Sequence, residues 1–293
     1  MWFALAVTAA LCQVLRNTVM KQLGHSLDEY INVWGRFTFL LPFAAAFVAW
    51  NVYGRGRPLE VKPGFAAACA VFAVCQCIST LALSKALKLS QISMVTALWK
   101  VSLLILLGLG YVTLRERPTA LGIAGVLLSM VGVYLLNVHR ARISPWAPLA
   151  VLFTDPGMRY TLLAACFFAP SVVTIKYAMQ LSDPYMGTLG GYVAASLLIT
   201  PLVLYTSWRR FAEVPRHWKA FLGLGFFASL TTVTQGIAYL LTLSSYVEAV
   251  KQVEILFALG VGAVFFGERQ TVREILPGAV VMLAGMVLLS LAG

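Results

Sequence analysis

Apolar residues run in long blocks along this chain, and polar ones collect in the short gaps between them. Ten blocks read as helical spans, at about residues 2–22, 30–52, 64–86, 92–114, 118–138, 158–180, 184–206, 218–241, 246–267 and 273–292. Each is long enough to cross a bilayer, which takes roughly 20 apolar residues. Helix punctuation marks the edges. Pro118 sits where a fifth helix would start, a position that tolerates proline, and Asp183-Pro184 opens the seventh. Gly54, Gly56, Pro58 and Pro63 mark the second connection. The connections are short except Val138–Met158, which holds Pro145, Pro148 and Pro156. That stretch predicts a seam between two five-helix halves, 1–138 and 158–293, joined by a loop at 139–157.

Two of the blocks share a plan. Tyr246–Thr271, YVEAVKQVEILFALGVGAVFFGERQT, has polar residues in its first half and ends in a Gly-Glu-Arg turn. Met94–Thr119, MVTALWKVSLLILLGLGYVTLRERPT, ends in Arg115-Glu116-Arg117. Aligning Glu116 with Glu268 puts Lys100 opposite Gln252 and Ser93 opposite Ser245 without a gap. Such paired segments mark an internal repeat, which in membrane transporters usually encloses the substrate site. Five helices per half is an odd number, so the second half inserts upside down relative to the first. The expected fold is an all-α polytopic membrane protein, ten transmembrane helices as a 5+5 inverted-topology repeat.

Composition agrees with the pattern. The chain has 293 residues, 60% hydrophobic and 11% charged, with a mean hydropathy of +0.85. A soluble domain carries about 25% charged residues. The formal net charge of +11 would suggest nucleic acid in a soluble protein. Here most basic residues lie in short loops, where they meet lipid headgroups and set topology, and no nucleic-acid partner is expected. The N-terminus lacks a basic stretch before its apolar run and reads as a first membrane helix rather than a cleaved signal. All five cysteines fall inside apolar runs, which argues against a disulfide framework. Cys75 and Cys77 are two apart, on different faces of a helix, and His25, His139 and His217 sit in loops. No metal or cofactor is expected.

The basic residues divide into three groups. Lys21, Lys85, Lys88, Arg140, Arg142, Arg159, Arg209, Arg210, Arg216, Lys219, Arg269 and Arg273 lie in or beside loops opposite the termini. Arg55, Arg57, Lys62, Arg115 and Arg117 lie on the termini side. Arg16, Arg36, Lys100, Lys176 and Lys251 fall within spans, where the only acidic residues away from the span edges are Glu248 and Glu254. A charge at mid-membrane costs at least about 2.5–3.5 kcal/mol. The interior is thus left formally three positive charges in excess. Either water masks them or an anionic group visits them, and the second reading predicts a substrate with phosphate or carboxylate.

Lys100 and Lys251 lie deepest and are the leading candidates for substrate contact. Glu254 stands three residues after Lys251 and would share its helix face, so an internal salt bridge is the plainer account of those two. Glu248 and Glu254 are candidates for charge balance or for a coupling proton, since burial favours the neutral form of a carboxyl group. Arg16 joins the candidate substrate set with Gln13, Gln76, Trp99, Gln235, Tyr239 and Gln252, the neutral groups being of the kind that fix a ligand's orientation or bond between helices. Arg36 and Lys176 lie nearer span ends and read as gating or structural cations. Pro42, Pro170 and Pro201 fall within spans. Pro42 and Pro201 occupy corresponding spans of the repeat, as hinges or as ordinary transmembrane prolines. Gly122, Gly125, Ser129 and Gly132, with Gly278 and Gly285, are spaced for close helix packing within a subunit or at a dimer face, so the protein is expected to be a monomer or a homodimer.

Ten spans in two halves, each fourth helix ending in an acidic turn (Arg-Glu-Arg-Pro-Thr, Gly-Glu-Arg-Gln-Thr), resemble the EamA type of the drug/metabolite transporter superfamily. The resemblance covers essentially the whole chain. The first turn departs from it, with Arg115 where a glycine is usual. The resemblance implies a ten-helix bundle with a central cavity lined by helices one to four and six to nine. It also implies cytoplasmic termini, whereas the loop charges alone, twelve against five, put the termini outside. Relatives of this kind export amino acids, exchange phosphorylated sugars, move drugs or flip lipid-linked sugars, and fold does not choose among them.

The expected function is secondary active transport of a small anionic or zwitterionic metabolite by alternating access, in a bacterial inner (plasma) membrane. A flippase for lipid-linked sugars or lipids is the alternative transporter. An intramembrane enzyme would need a reactive constellation such as a paired His or Asp within the spans, which contain neither residue. The ten-span reading requires both termini on one face and the Val138–Met158 connection on the other. Accessibility labelling of single cysteines in a cysteine-free background checks this; termini on opposite faces would refute the span count.

Overall fold

The computed structural model describes residues 1–24, 27–90, 92–141, 154–257 and 269–292, and every regular element among them is helical. Six helical stretches are long and apolar enough to cross a membrane. Shorter apolar helices are Val101–Thr113, Ala120–Leu135 and Pro277–Ala292. Most of the Val138–Met158 connection, the later part of the ninth span and the Glu268 turn lie outside the described residues.

The chain forms two compact units: Met1–Ile78 with Pro170–Leu241, and Ser79–Ala169 with Thr242–Gly293. This division differs from the two halves read along the sequence, because each unit draws on both.

Unit 1 contains α1 (Trp2–Gly24), α2 (Glu29–Thr38), α3 (Leu41–Ala49), the first part of α4 (Phe65–Leu89), the later part of α8 (Pro156–Gln180), α9 (Pro184–Phe211) and α10 (Trp218–Leu241). Asp28 starts α2 by accepting from the Tyr30 N–H, and its other oxygen accepts from Ser207 Oγ at 2.7 Å. Asp183 starts α9 in the same way, accepting from the N–H groups of Tyr185 and Met186. The predicted second span is broken at Phe39–Leu40, and Pro42 falls in the first turn of α3, where its missing N–H costs nothing. Pro201, by contrast, lies inside a helix that runs through it; the non-helical residue of α9 is Ser207. Helices meet at small residues. A Cβ on Gly225 would come within 2.0 Å of the Phe39 carbonyl oxygen, and one on Gly35 within 2.1 Å of the Phe221 ring. Phe39 and Phe221 stack at 4.9 Å between centroids.

Unit 2 contains the later part of α4, α5 (Ile92–Trp99), α6 (Val101–Thr113), α7 (Ala120–Ala141), the first part of α8, α11 (Ser244–Lys251) and α12 (Arg269–Ala292). The predicted fourth span is thus two helices, and the ninth is interrupted after Lys251. Helix α12 begins earlier than its predicted span and carries Pro277 within it. Asp155 caps α8, accepting from the N–H groups of Gly157 and Met158 and from Ser90 Oγ. The Ser90 hydroxyl holds this carboxyl below its ordinary range, helped by those N–H groups and by Arg159.

The glycine–serine row of α7 packs against α12 almost backbone to backbone. A Cβ on Gly285 would stand 2.4 Å from the Ser129 nitrogen, and one on Gly132 would stand 2.3 Å from that of Met282. The small residues therefore serve packing within one chain. Backbone cannot retreat as a flexible side chain does, so Gly285→Ala is expected to destabilise the protein by about 1–3 kcal/mol. Gly223→Ala, where an added Cβ meets nothing within 4 Å, should be neutral or slightly stabilising. Thermal unfolding of the two purified variants checks the contrast.

Candidate functional site in the second unit

The site starts from two interrupted helices. Lys100 separates α5 from α6, and Gln252–Val253 ends α11 before residues 254–257 resume a helical conformation. Neither interruption contains glycine or proline. At the second, the cause is a side chain inserted into the backbone ladder. The Gln252 amide donates to the Glu248 carbonyl at 3.3 Å, the acceptor its own backbone N–H would otherwise take. That N–H turns instead to Ala249 O, and Val253, Ile255 and Leu256 likewise bond three residues back. Leu103 does so to Lys100 O at the first interruption. Tightened turns of this kind inside longer helices mark strain or function.

The two interruptions meet. Lys100 Nζ donates to Gln252 Oε1, and both residues are buried, at 5% and 8% exposure. These are the positions that the repeat alignment pairs. Beside this hydrogen bond stand Glu248 and Lys251, both buried. Lys251 Nζ lies 2.9 Å from Glu248 Oε1, one turn away on α11. Lys251 thus pairs with Glu248, three residues before it, whereas sequence spacing singled out Glu254, three residues after it. Trp99 packs its ring at 5.0 Å from that of Phe168.

The first acidic turn has a place in the same framework. Arg115 has φ of +55°, the left-handed conformation that glycine takes at no steric cost, so the departure at this turn is a strained one. It turns Glu116 back toward Gly110, where any Cβ would come within 2.6 Å of Glu116 Oε2. The Glu116 carboxylate accepts from Ser244 N–H at 3.0 Å and from Ser244 Oγ at 2.9 and 3.0 Å. It caps α11, whose own cap residue, Leu243, has no side-chain acceptor. One turn on, the Tyr246 hydroxyl accepts from Thr119 N–H at 3.1 Å, in the space left by Gly122. Ser129 Oγ donates to Ala249 O at 3.4 Å. Glu116 stood out in the sequence as a turn residue; its partner Ser244, on the far side of the repeat, did not.

The remaining candidates belong to unit 1. Arg16 donates twice to Asn17 Oδ1, at 2.9 and 3.2 Å, and is 7% exposed; Gln13 is half-buried on the same helix. Gln76 accepts from Ser171 Oγ at 3.0 Å. Gln235 donates to the Tyr239 hydroxyl one turn along α10. Arg36 lies 5.8 Å from the Phe37 ring centroid, and Lys176 is buried at 5% exposure. The structure thus separates two populations. Lys100 and Lys251 share unit 2 with Glu248 and Glu254, and the formal excess of three cations, Arg16, Arg36 and Lys176, falls on unit 1. No cluster of metal-ligating side chains occurs among the described residues.

Glu116→Ala removes the acceptor of two donors at the start of α11 and a charge that complements the helix dipole. A loss of about 1–2 kcal/mol is expected, larger than that of Ser244→Ala. Melting curves of both variants, with the double variant to test their coupling, check the assignment.

The family model described as "EamA-like transporter family" matches residues 1–138 and 155–291. No curated protein matches the chain. Among solved structures, one described only as "Crystal structure of protein" is similar at a TM-score of 0.73, with 15% identity over 99% of this chain and 96% of that one. At that identity the likeness is one of fold.

Proposed function

The chain belongs to the EamA-like transporter family and is a multi-pass membrane protein that transports, and we propose that it moves a small anionic or zwitterionic metabolite by alternating access. The observation that carries this reading is the meeting of two interrupted helices at repeat-equivalent positions through Lys100 and Gln252. Interrupted helices expose backbone and polar side chains at mid-membrane, and in inverted-repeat transporters such places hold the substrate. Lys100 supplies a charge for a carboxylate or phosphate, and Gln252 supplies a neutral group that fixes its orientation. The family and its two matched stretches favour ten spans in two inverted halves, and a bacterial inner membrane is the membrane proposed for them. Drive would come from exchange or an ion gradient. A flippase remains the second reading, favoured by the broad apolar surfaces of the helices but not by the burial of Lys100.

If Lys100 contacts substrate, Lys100→Ala should lower ligand affinity at least tenfold while leaving the melting temperature within a few degrees, and Lys100→Arg should keep part of the affinity. A thermal-shift screen with phosphorylated, carboxylated and cationic metabolites identifies the ligand, and binding is then measured on both variants. Unchanged affinity in well-folded Lys100→Ala would refute the site.

A further inference from the structure

The far end of α9 carries cations that the rest of the chain leaves unpaired. This helix is among the six stretches long and apolar enough to cross a membrane. Tyr185 and Trp208 stand about 35 Å apart along it at 1.5 Å per residue, against a hydrocarbon core of roughly 30 Å, so each falls near an interface. The backbone leaves helical geometry at Ser207, and the turn beyond is pinned from two sides. Ser207 Oγ donates to Asp28 Oδ2 at 2.7 Å, and the Phe211 ring lies 4.6 Å from that of Trp34. With Ser207 and Phe211 held against α2 and its cap, Trp208, Arg209 and Arg210 are exposed, Trp208 at 69%. The chain then passes through a single 3₁₀ turn, Val214–His217, into α10, where Arg216, Trp218 and Lys219 are exposed too.

Among the described residues, no side chain pairs with Arg209, Arg210 or Arg216, and Lys219 reaches only its neighbour, 5.7 Å from the centre of the Trp218 ring. The acids nearby are placed elsewhere. Asp28 accepts from the Tyr30 N–H and from Ser207, while Glu29 and Glu213 are half-buried. The opposite end of α9 differs, because a cation there is held internally. Arg55 lies 4.8 Å over the Trp50 ring and donates to the Tyr185 hydroxyl at 3.5 Å.

An exposed side chain at the end of a membrane-crossing helix meets lipid headgroups. Guanidinium forks match phosphate oxygens, and indole rings favour the interface. Four unpaired cations attract a net negative headgroup, whereas a zwitterionic one would bring its own ammonium among them. We propose that the turn between α9 and α10 is a binding site for an anionic phospholipid. Arg209, Arg210, Arg216 and Lys219 supply the charge, and Trp208 and Trp218 supply the interfacial packing. The site is separate from Lys100 and holds whatever the transported substrate is.

The test uses the full chain in phosphatidylcholine nanodiscs. A minor share of the lipid is phosphatidylglycerol or phosphatidylcholine carrying a nitroxide high on one acyl chain. Quenching of Trp208 fluorescence, taken as the difference from Trp208→Phe, reports which lipid occupies the turn. One cation near an anionic surface is worth a factor of about five, so the wild type should favour phosphatidylglycerol at least fivefold. Arg209→Gln with Arg210→Gln should lower that preference at least threefold, and the paired Arg→Lys changes should keep most of it. Arg57→Gln with Lys62→Gln, exposed cations beyond the other end of α9, should leave it unchanged. Melting curves in phosphatidylcholine alone confirm that the variants fold; if the Arg209/Arg210 pair does not, Arg216→Gln with Lys219→Gln carries the same expectation. Equal quenching by the two lipids in the wild type overturns the proposal, with the cations facing water alone. A preference that survives the loss of either cation pair of the turn, or falls equally in the Arg57/Lys62 variant, overturns it as well.

Discussion

The hydrogen bond from Lys100 to Gln252 is the interaction around which the second unit is arranged. It satisfies a cation in a layer where an unmet charge is untenable. It also falls where two helices are interrupted, at Lys100 and at Gln252–Val253. The price of each interruption is a set of backbone groups without regular partners. Gln252 meets part of that cost by bonding the Glu248 carbonyl, and the shortened turns meet the rest. Everything else in the unit fixes where α11 begins and how it lies. Glu116 holds its first residue, Tyr246 reaches the start of α7, and Ser129 bonds its Ala249 carbonyl.

That arrangement gives the acidic turn a physical meaning. A glutamate after the fourth helix is well placed to cap the helix that begins the corresponding segment, since a carboxylate at a helix start meets several orphan N–H groups at once. The turn must be tight for this, and it is tight because Arg115 accepts a left-handed conformation and Gly110 leaves room for the returning carboxylate. The close α7–α12 contact then fixes the surface on which α11 rests.

Much of the helical framework was legible in the sequence. Apolar blocks of membrane length gave the helices, because in hydrocarbon the backbone leaves few other choices. Asp183-Pro184 located the start of α9, and the glycine–serine row located a close contact. The alignment set Lys100 opposite Gln252, but it predicted no bond between them. The interruptions themselves were not legible. No glycine or proline stands within five residues of Lys100 or Gln252, and at α11 a side chain turns on its own backbone. Spacing singled out Glu254 beside Lys251 and passed over Glu248, equally three residues away on the other side, which forms the 2.9 Å ion pair. The surroundings of Lys100 were beyond local spacing, since Gln252, its hydrogen-bond acceptor, lies about 150 positions along the chain. The compact units were hidden too, because each is assembled from both halves.

That interleaving bears on how the protein is made. Residues 79–169 leave the ribosome long before residues 242–293, yet they form one compact unit with them. During synthesis Lys100 enters the membrane without Gln252, Glu248 or Glu254, and Glu116 without the helix it caps. The early helices must therefore wait beside the insertion machinery, or draw water and lipid headgroups inward, until the last helices arrive. Truncation before Gln252 would leave Lys100 in the membrane without that partner, a lesion that membrane quality control is equipped to detect.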